Sequence, residues 1–139
     1  MQDTLSIQQP WPWLITRPDL QDTARSEAHK LGLIKDVENR TWPTRKKGEI
    51  LIHAGKKFDT TGYFWVKDNF PQIQMPELQQ FQRGGIVGKA RIINCVDELF
   101  ENPWFFGPYG FMLRQAEAVP FMACRGQLGF FKVDYKEAV

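Results

Sequence analysis

Thiol and imidazole groups are scarce in this sequence of 139 residues, which has two cysteines and two histidines. Cys95 and Cys124 are too few for a disulfide framework, and neither belongs to a Cys-x-x-Cys pair. With only His29 and His53 beside them, no metal site of structural spacing can be assembled. We therefore expect no metal and no other cofactor.

Long apolar runs are also missing. No stretch approaches the roughly 20 apolar residues that a membrane-spanning helix needs. The N-terminus lacks the basic and apolar regions of a secretory signal peptide. We expect no membrane partner and, with so few cysteines, a reducing, cytoplasmic setting.

The net charge is small, at +2, so it gives no strong indication of a nucleic-acid partner. The charge is unevenly distributed, because residues 35–57 hold four more basic than acidic side chains. The basic residues of this run are Lys35, Arg40, Arg45, Lys46, Lys47, Lys56 and Lys57. Such a run is usually a solvated face, and it favours a polyanionic partner only modestly.

Aromatic residues, in contrast, are abundant, with eleven Phe and five Trp for a core or for the walls of a cleft. The chain length suits a single domain over residues 1–139, with a polar insertion at about residues 17–31. Periodic and β-branched segments predict strands at residues 4–8, 49–54, 86–96, 109–119 and 127–135. Helices are predicted after Pro10 and at residues 59–69, with Asp59 as N-cap. This pattern indicates an α+β domain that is β-barrel-like.

The densest group of charged and aromatic residues is KDVENRTWP, at residues 35–43. In an extended segment Glu38 and Arg40 point to the same side. This places an acid and a base on one wall of a groove, with Lys35 entering from the preceding loop. The alternative is a surface ion pair beside a half-buried Trp42, which contributes little.

Five segments in the same order resemble the ASCH family. They are LSIQQPW at 5–11, KDVENRTW at 35–42, LIHAGK at 51–56, FGPYGF at 106–111 and RGQLGFF at 125–131. The resemblance implies a PUA-like fold, a small β-barrel with flanking helices, and a cleft where the Lys-x-x-Glu-x-Arg residues meet the N-terminal helix. It also implies an association with RNA binding and processing. The chain departs from the family in its polar insertion and in Gly32, which is one residue further from Lys35 than in the usual Gly-x-Lys.

The first functional hypothesis is that the cleft binds single-stranded RNA or a modified nucleotide. Basic side chains would contact phosphate, and aromatic faces would stack on bases. The expected binding residues are Gln9, Trp11, Lys35, Glu38, Arg40, Trp42, Lys46, Lys47 and Tyr109. For each tryptophan the alternative is core packing, and for Arg40 it is a buried ion pair with Glu38.

The second hypothesis is a hydrolase. The resemblance implies either a single-strand-specific ribonuclease or an amidohydrolase that acts on acylated cytidine. Lys35 would be a base or an electrostatic anchor, and Glu38, or a carboxylate of the Asp97-Glu98 pair, would move the proton. His53 would be a base in the ribonuclease, although a structural histidine is the alternative. No nucleophile is evident, because the amidohydrolase branch has a threonine where Glu38 stands, and Thr41 is expected on the opposite face.

A third hypothesis is a protein-interaction module. The aromatic loop at residues 104–109 would then be an exposed patch. The alternative is that this loop closes the predicted barrel.

Overall fold

Six strands and three α-helices make up residues 1–136, the part of the chain that the computed structural model describes. In chain order they are β1 (Gln2–Gln9), α1 (Trp11–Thr16), α2 (Asp22–Lys30), β2 (Val37–Arg40), β3 (Gly48–Phe58), α3 (Thr60–Asn69), β4 (Gly85–Val96), β5 (Tyr109–Ala123) and β6 (Phe130–Val133). A short 3-10 turn at Leu78–Gln80 precedes β4. The predicted α+β class is confirmed. The last three residues of the predicted domain, 137–139, lie outside the described residues.

The strands form one mixed sheet in the order β2-β5-β4-β3-β1-β6. β1 and β3 run parallel, with Leu5 opposite Ile52, and the other pairs are antiparallel. The parallel pair needs a crossover, which α1, α2 and β2 provide between these strands. The inward side chains of β1 and β3 and Ile15 of α1 lie in the main hydrophobic core.

The predicted barrel is wrong, because the sheet is open. Within residues 1–136 no ladder joins β2 to β6, the two edge strands. Each of these strands has only four residues, and β6 pairs with β1 only from Gln2 to Leu5. Side chains hold the two edges near each other instead, since the ring of Trp42 lies 5.3 Å from that of Phe111 and 5.7 Å from that of Phe130.

The strand boundaries differ from those predicted, most of all at the ends of β3 and β5 and at both ends of β6, and β3 continues to Phe58 rather than ending at residue 54. β5 continues through Pro120 to Ala123, although proline cannot donate to a ladder. Pro120 lies opposite the register shift between Ile86 and Gly88 of β4, where a missing N–H removes no regular ladder bond. β6 begins only at Phe130, because Gly129 has a left-handed φ of +66° that interrupts the extended chain.

The polar insertion contains α2, a mainly exposed helix in which Ala28 is the buried residue. Arg25 anchors this helix, since its guanidinium donates to the carbonyls of Ala116 at 2.8 Å and Arg17 at 2.9 Å. The predicted cap of α3 is confirmed, because Asp59 accepts a hydrogen bond from the backbone of Gly62 at 2.9 Å. The insertion is therefore an ordered part of the domain.

Candidate functional site

A cavity of about 610 Å³ lies along the outer edge of β1, in the part that β6 does not cover. We call it the edge cavity. Its volume is within the roughly 300–1,000 Å³ that is typical of small-molecule sites. Its lining comes from β1, β2, the end of β3 and the loop before β6, and includes Ser6, Trp11, Glu38, Arg40, Trp42 and Lys56.

Glu38 is the centre of a charged cluster beside this cavity. Lys35 Nζ donates to its Oε1 at 2.9 Å, and Arg40 Nη2 lies 3.0 Å from its Oε2. The Glu38 side chain is only 9% exposed, so the pairing takes place largely out of water. Two cations around one carboxylate leave the Lys35–Glu38–Arg40 cluster with a net positive charge.

Lys35 lies behind the edge cavity rather than in it. The residue is only 3% exposed, and its Nζ also donates to the carbonyl of Val37. The ammonium is 5.6 Å from the centroid of the Trp11 ring, within reach of a cation–π interaction. Lys35 instead borders a smaller adjoining pocket of about 210 Å³, together with Trp11, Glu38 and Asp59. Its geometry suits an electrostatic anchor for Glu38.

Arg40 bridges the gap between the edges of the sheet. Its Nη2 donates to the Ser6 carbonyl of β1 at 2.9 Å, beyond the last residue that β6 pairs. Its Nε is buried and has no hydrogen-bond partner among the described residues. The Nε–H of Arg40 is therefore an unsatisfied donor, and leaving such a donor buried costs about 1–3 kcal/mol.

Two indoles stand at the cavity, each fixed by a different contact. Trp11 donates from Nε1 to Asp59 Oδ2 at 2.9 Å, and Asp59 at the same time caps α3. Gly62 makes this approach possible, because a Cβ there would lie 2.4 Å from Trp11 Cζ2. Trp42 is half-buried and packs edge-to-face on Phe111 and Phe130. Both indoles line the cavity.

Four predicted binding residues line neither the edge cavity nor the adjoining pocket: Gln9, Lys46, Lys47 and Tyr109. Gln9 is buried, and its amide joins the carbonyl of Gln82 to the backbone N–H of Trp13. Lys46 is paired with Asp3 across β1. The structure thus brings Trp11, Glu38, Arg40 and Trp42 together at the cavity, with Lys35 behind them.

Sequence reasoning missed other lining residues, notably Ser6, Lys57, Asp59 and Gln127. Lys57 belongs to the basic run and closely follows the strand predicted at residues 49–54, which was a usable signal. Asp59 was recognised only as a helix cap. Gln127 had no local signal, because the loop before β6 reaches the cavity only through the pairing of β6 with β1.

His53 lies outside the edge cavity. The ring is buried, with Nδ1 2.8 Å from Ser6 Oγ and Nε2 2.8 Å from the Cys124 carbonyl oxygen. Because a carbonyl only accepts, a neutral ring carries its proton on Nε2 and accepts from the Ser6 hydroxyl at Nδ1. The pair lines a third cavity of about 320 Å³, which also includes Lys56 and Arg125.

The aromatic loop at residues 104–109 is only partly exposed. Trp104 is buried, stacks on Phe70 with ring centroids 4.5 Å apart, and donates from Nε1 to the Gly32 carbonyl at 3.0 Å. Phe106, in contrast, is exposed and borders the adjoining pocket. Most of the loop therefore packs against the domain.

The pKa values of Asp3 and Cys124 are displaced from their ordinary values. Hydrogen bonds from Lys132 and Lys46 lower the pKa of the Asp3 carboxyl. Burial raises the pKa of the Cys124 thiol above its ordinary value. The hydrogen bond from Lys132 to Asp3 joins β6 to β1. The raised pKa of Cys124 leaves less of its thiol as reactive thiolate.

No family model and no curated protein matches the chain. None of the helices in residues 1–136 is long and apolar enough to cross a membrane. The same residues contain no group of three or more His, Cys, Asp or Glu side chains that could hold a metal ion.

Proposed function

We propose that the chain is an ASCH-type RNA-binding domain that binds single-stranded RNA or a modified nucleotide in the edge cavity. The observation that carries this proposal is the meeting of two indoles and a net positive cluster at one opening of about 610 Å³. Five ordered sequence segments support the family assignment, and both LSIQQPW and KDVENRTW contribute to the cavity wall.

The charges around the cavity suit a phosphate. Lys56 and Lys57 are exposed at its rim, whereas the carboxylates of Glu38 and Asp59 are already engaged. Phosphate binding by these groups would displace counterions, so affinity should fall as salt rises.

The test is fluorescence anisotropy with a labelled single-stranded RNA over a series of salt concentrations. A Lys56→Ala, Lys57→Ala double variant should bind more weakly, with the salt slope reduced by about one for each lost phosphate contact. The matched control is Lys30→Ala, Lys67→Ala, which removes two exposed lysines that do not line the cavity. An affinity that does not depend on salt would overturn the proposal.

Stacking gives a second arm of the same test. Trp42→Ala should weaken binding by about 1–3 kcal/mol, because that is the usual contribution of one stacked base. Circular dichroism would establish that the variant is folded, since Trp42 also packs on Phe111 and Phe130. An unchanged affinity in a folded variant would place the base elsewhere.

Binding is proposed ahead of the two hydrolase alternatives. A free general base is needed for either reaction, but the Glu38 carboxylate is held by Lys35 and Arg40. His53 lies in a different cavity, so the ribonuclease would need substrate to reach both places. Release of cytidine from an acylated cytidine, abolished by Glu38→Gln, would reverse this order.

A further inference from the structure

Ser6 and His53 form a pair that the binding function does not use. We propose that Ser6 is a nucleophile and His53 its general base, and that the pair hydrolyses carboxylic esters of small acyl groups through an acyl-serine. This activity goes beyond RNA binding and does not depend on it. The two residues are 47 positions apart, so no local pattern in the sequence pairs them.

The hydrogen bonds orient the pair for proton transfer. Ser6 Oγ is 2.8 Å from His53 Nδ1, within the distance that a nucleophile and its base require. The Cys124 carbonyl, 2.8 Å from Nε2, holds the proton on the far nitrogen and leaves the Nδ1 lone pair facing the hydroxyl. Nucleophile, base and orienting acceptor are therefore joined by two consecutive hydrogen bonds.

Glycines surround the hydroxyl. A Cβ on Gly126 would lie 2.9 Å from both Ser6 Oγ and His53 Cε1, so any side chain there would crowd the pair. A Cβ on Gly55 would be 3.5 Å from Ser6 Oγ. Ser6 itself is half-buried and lines both the edge cavity and the third cavity. The serine thus has space beside it, while its base is shielded from water.

Two basic side chains share the third cavity with the pair. Lys56 and Arg125 both line the third cavity with Ser6 and His53. A cation near a developing oxyanion stabilises the tetrahedral intermediate, most strongly where water is excluded. The cavity, at about 320 Å³, suits a small acyl group.

The reaction balances without a cofactor. Ser6 Oγ bonds to the acyl carbon and its proton passes to His53 Nδ1. The bond from the acyl carbon to the alcohol oxygen then breaks, and the alcohol leaves with that proton. Water attacks the acyl-serine and gives a proton to Nδ1, which returns it to Ser6 Oγ as the carboxylic acid departs.

The experiment combines a fluorophosphonate label, located by mass spectrometry, with hydrolysis of p-nitrophenyl acetate. We expect the label on Ser6. We also expect Ser6→Ala to lower turnover by at least about 100-fold, which is the lower end of the usual contribution of general base catalysis. The matched control is Ser26→Ala, which removes the only other serine, an exposed residue of α2. It should keep both label and turnover.

The label decides the outcome even if Ser6→Ala does not fold, because it is mapped on the unaltered protein. A wild-type protein that takes no label, or takes it on a residue other than Ser6, would overturn the proposal. So would p-nitrophenol release by wild type that is no faster than by folded Ser6→Ala. RNA binding is measured separately, so either function can fail alone.

Discussion

The two halves of the outer edge of β1 differ in one respect, namely whether a strand covers them. From Gln2 to Leu5 this edge pairs with β6, and Asp3 there forms surface ion pairs with Lys46 and Lys132. From Ser6 onward no strand covers this edge within the described residues, and Arg40 donates a hydrogen bond to the Ser6 carbonyl. The uncovered half is where the edge cavity opens. Because β6 is short, it leaves room for the edge cavity. It also leaves the Ser6 carbonyl without a strand partner, and Arg40 supplies the hydrogen bond instead.

Removing the Glu38 carboxylate, beside the uncovered half, should lower the free energy of unfolding the most. Glu38→Ala leaves Lys35 buried without its carboxylate and should lower the free energy of unfolding by about 3–5 kcal/mol. Urea unfolding followed by tryptophan fluorescence measures this loss. The matched control is Glu117→Ala, whose carboxylate is 58% exposed and pairs with Lys89 at 3.2 Å, and which should cost at most about 1 kcal/mol. Equal losses would show that the buried cluster is no different from a surface pair.

Replacing the bridge should have an intermediate effect. Arg40→Lys keeps the charge but not the planar group that reaches both Ser6 O and Glu38. We expect a loss of about 1.5–3 kcal/mol in the free energy of unfolding, because a charged hydrogen bond is broken in a largely buried place. Arg45→Lys, at an exposed position, is the control and should stay within about 0.5 kcal/mol of wild type. The bridge would be dispensable if both variants unfold alike.

Removing the Asp3 charge from the covered half should lower the free energy of unfolding the least, and the loss should depend on pH. The pKa of Asp3 is lowered by hydrogen bonds from Lys132 and Lys46, so the folded state binds that proton less tightly than the unfolded state. The resulting stability is complete above the ordinary value of 3.8 and is lost as the pH falls through the lower pKa of the folded state. Asp3→Asn should cost about 0.2–1 kcal/mol at neutral pH, since these pairs are partly exposed and screened by water.

Unfolding of wild type and Asp3→Asn across the acid range gives the check. The difference between the two proteins should shrink as the solution is acidified below pH 3.8. A difference that stays constant over that range would mean that the carboxylate charge is not its source.

Local patterns in the sequence predicted the individual elements well. The strand at β3 and the helix α3 followed from periodicity and from Asp59 as a cap, because these depend on neighbours along the chain. The predicted facing of Glu38 and Arg40 also depends on such a local spacing, and the structure pairs them. Their role in binding stays a prediction.

Features that depend on distant pairing were not predictable in this way. The open sheet results from β6 pairing with only part of β1, which no local pattern encodes. Gln9 has a polar side chain that suits ligand binding. In the structure, however, its amide forms hydrogen bonds with the backbone of Gln82 and Trp13 inside the domain. Ser6 and His53 likewise meet only because β1 and β3 lie side by side in parallel.

The most direct test of the edge cavity as the RNA site is NMR of the indole N–H groups while single-stranded RNA is added. The signals of Trp11 and Trp42, which line the cavity, should shift with a common dissociation constant. The signal of Trp104, buried and bonded to the Gly32 carbonyl, should stay in place. Shifts confined to other tryptophans, or none at saturating RNA, would contradict binding at this site.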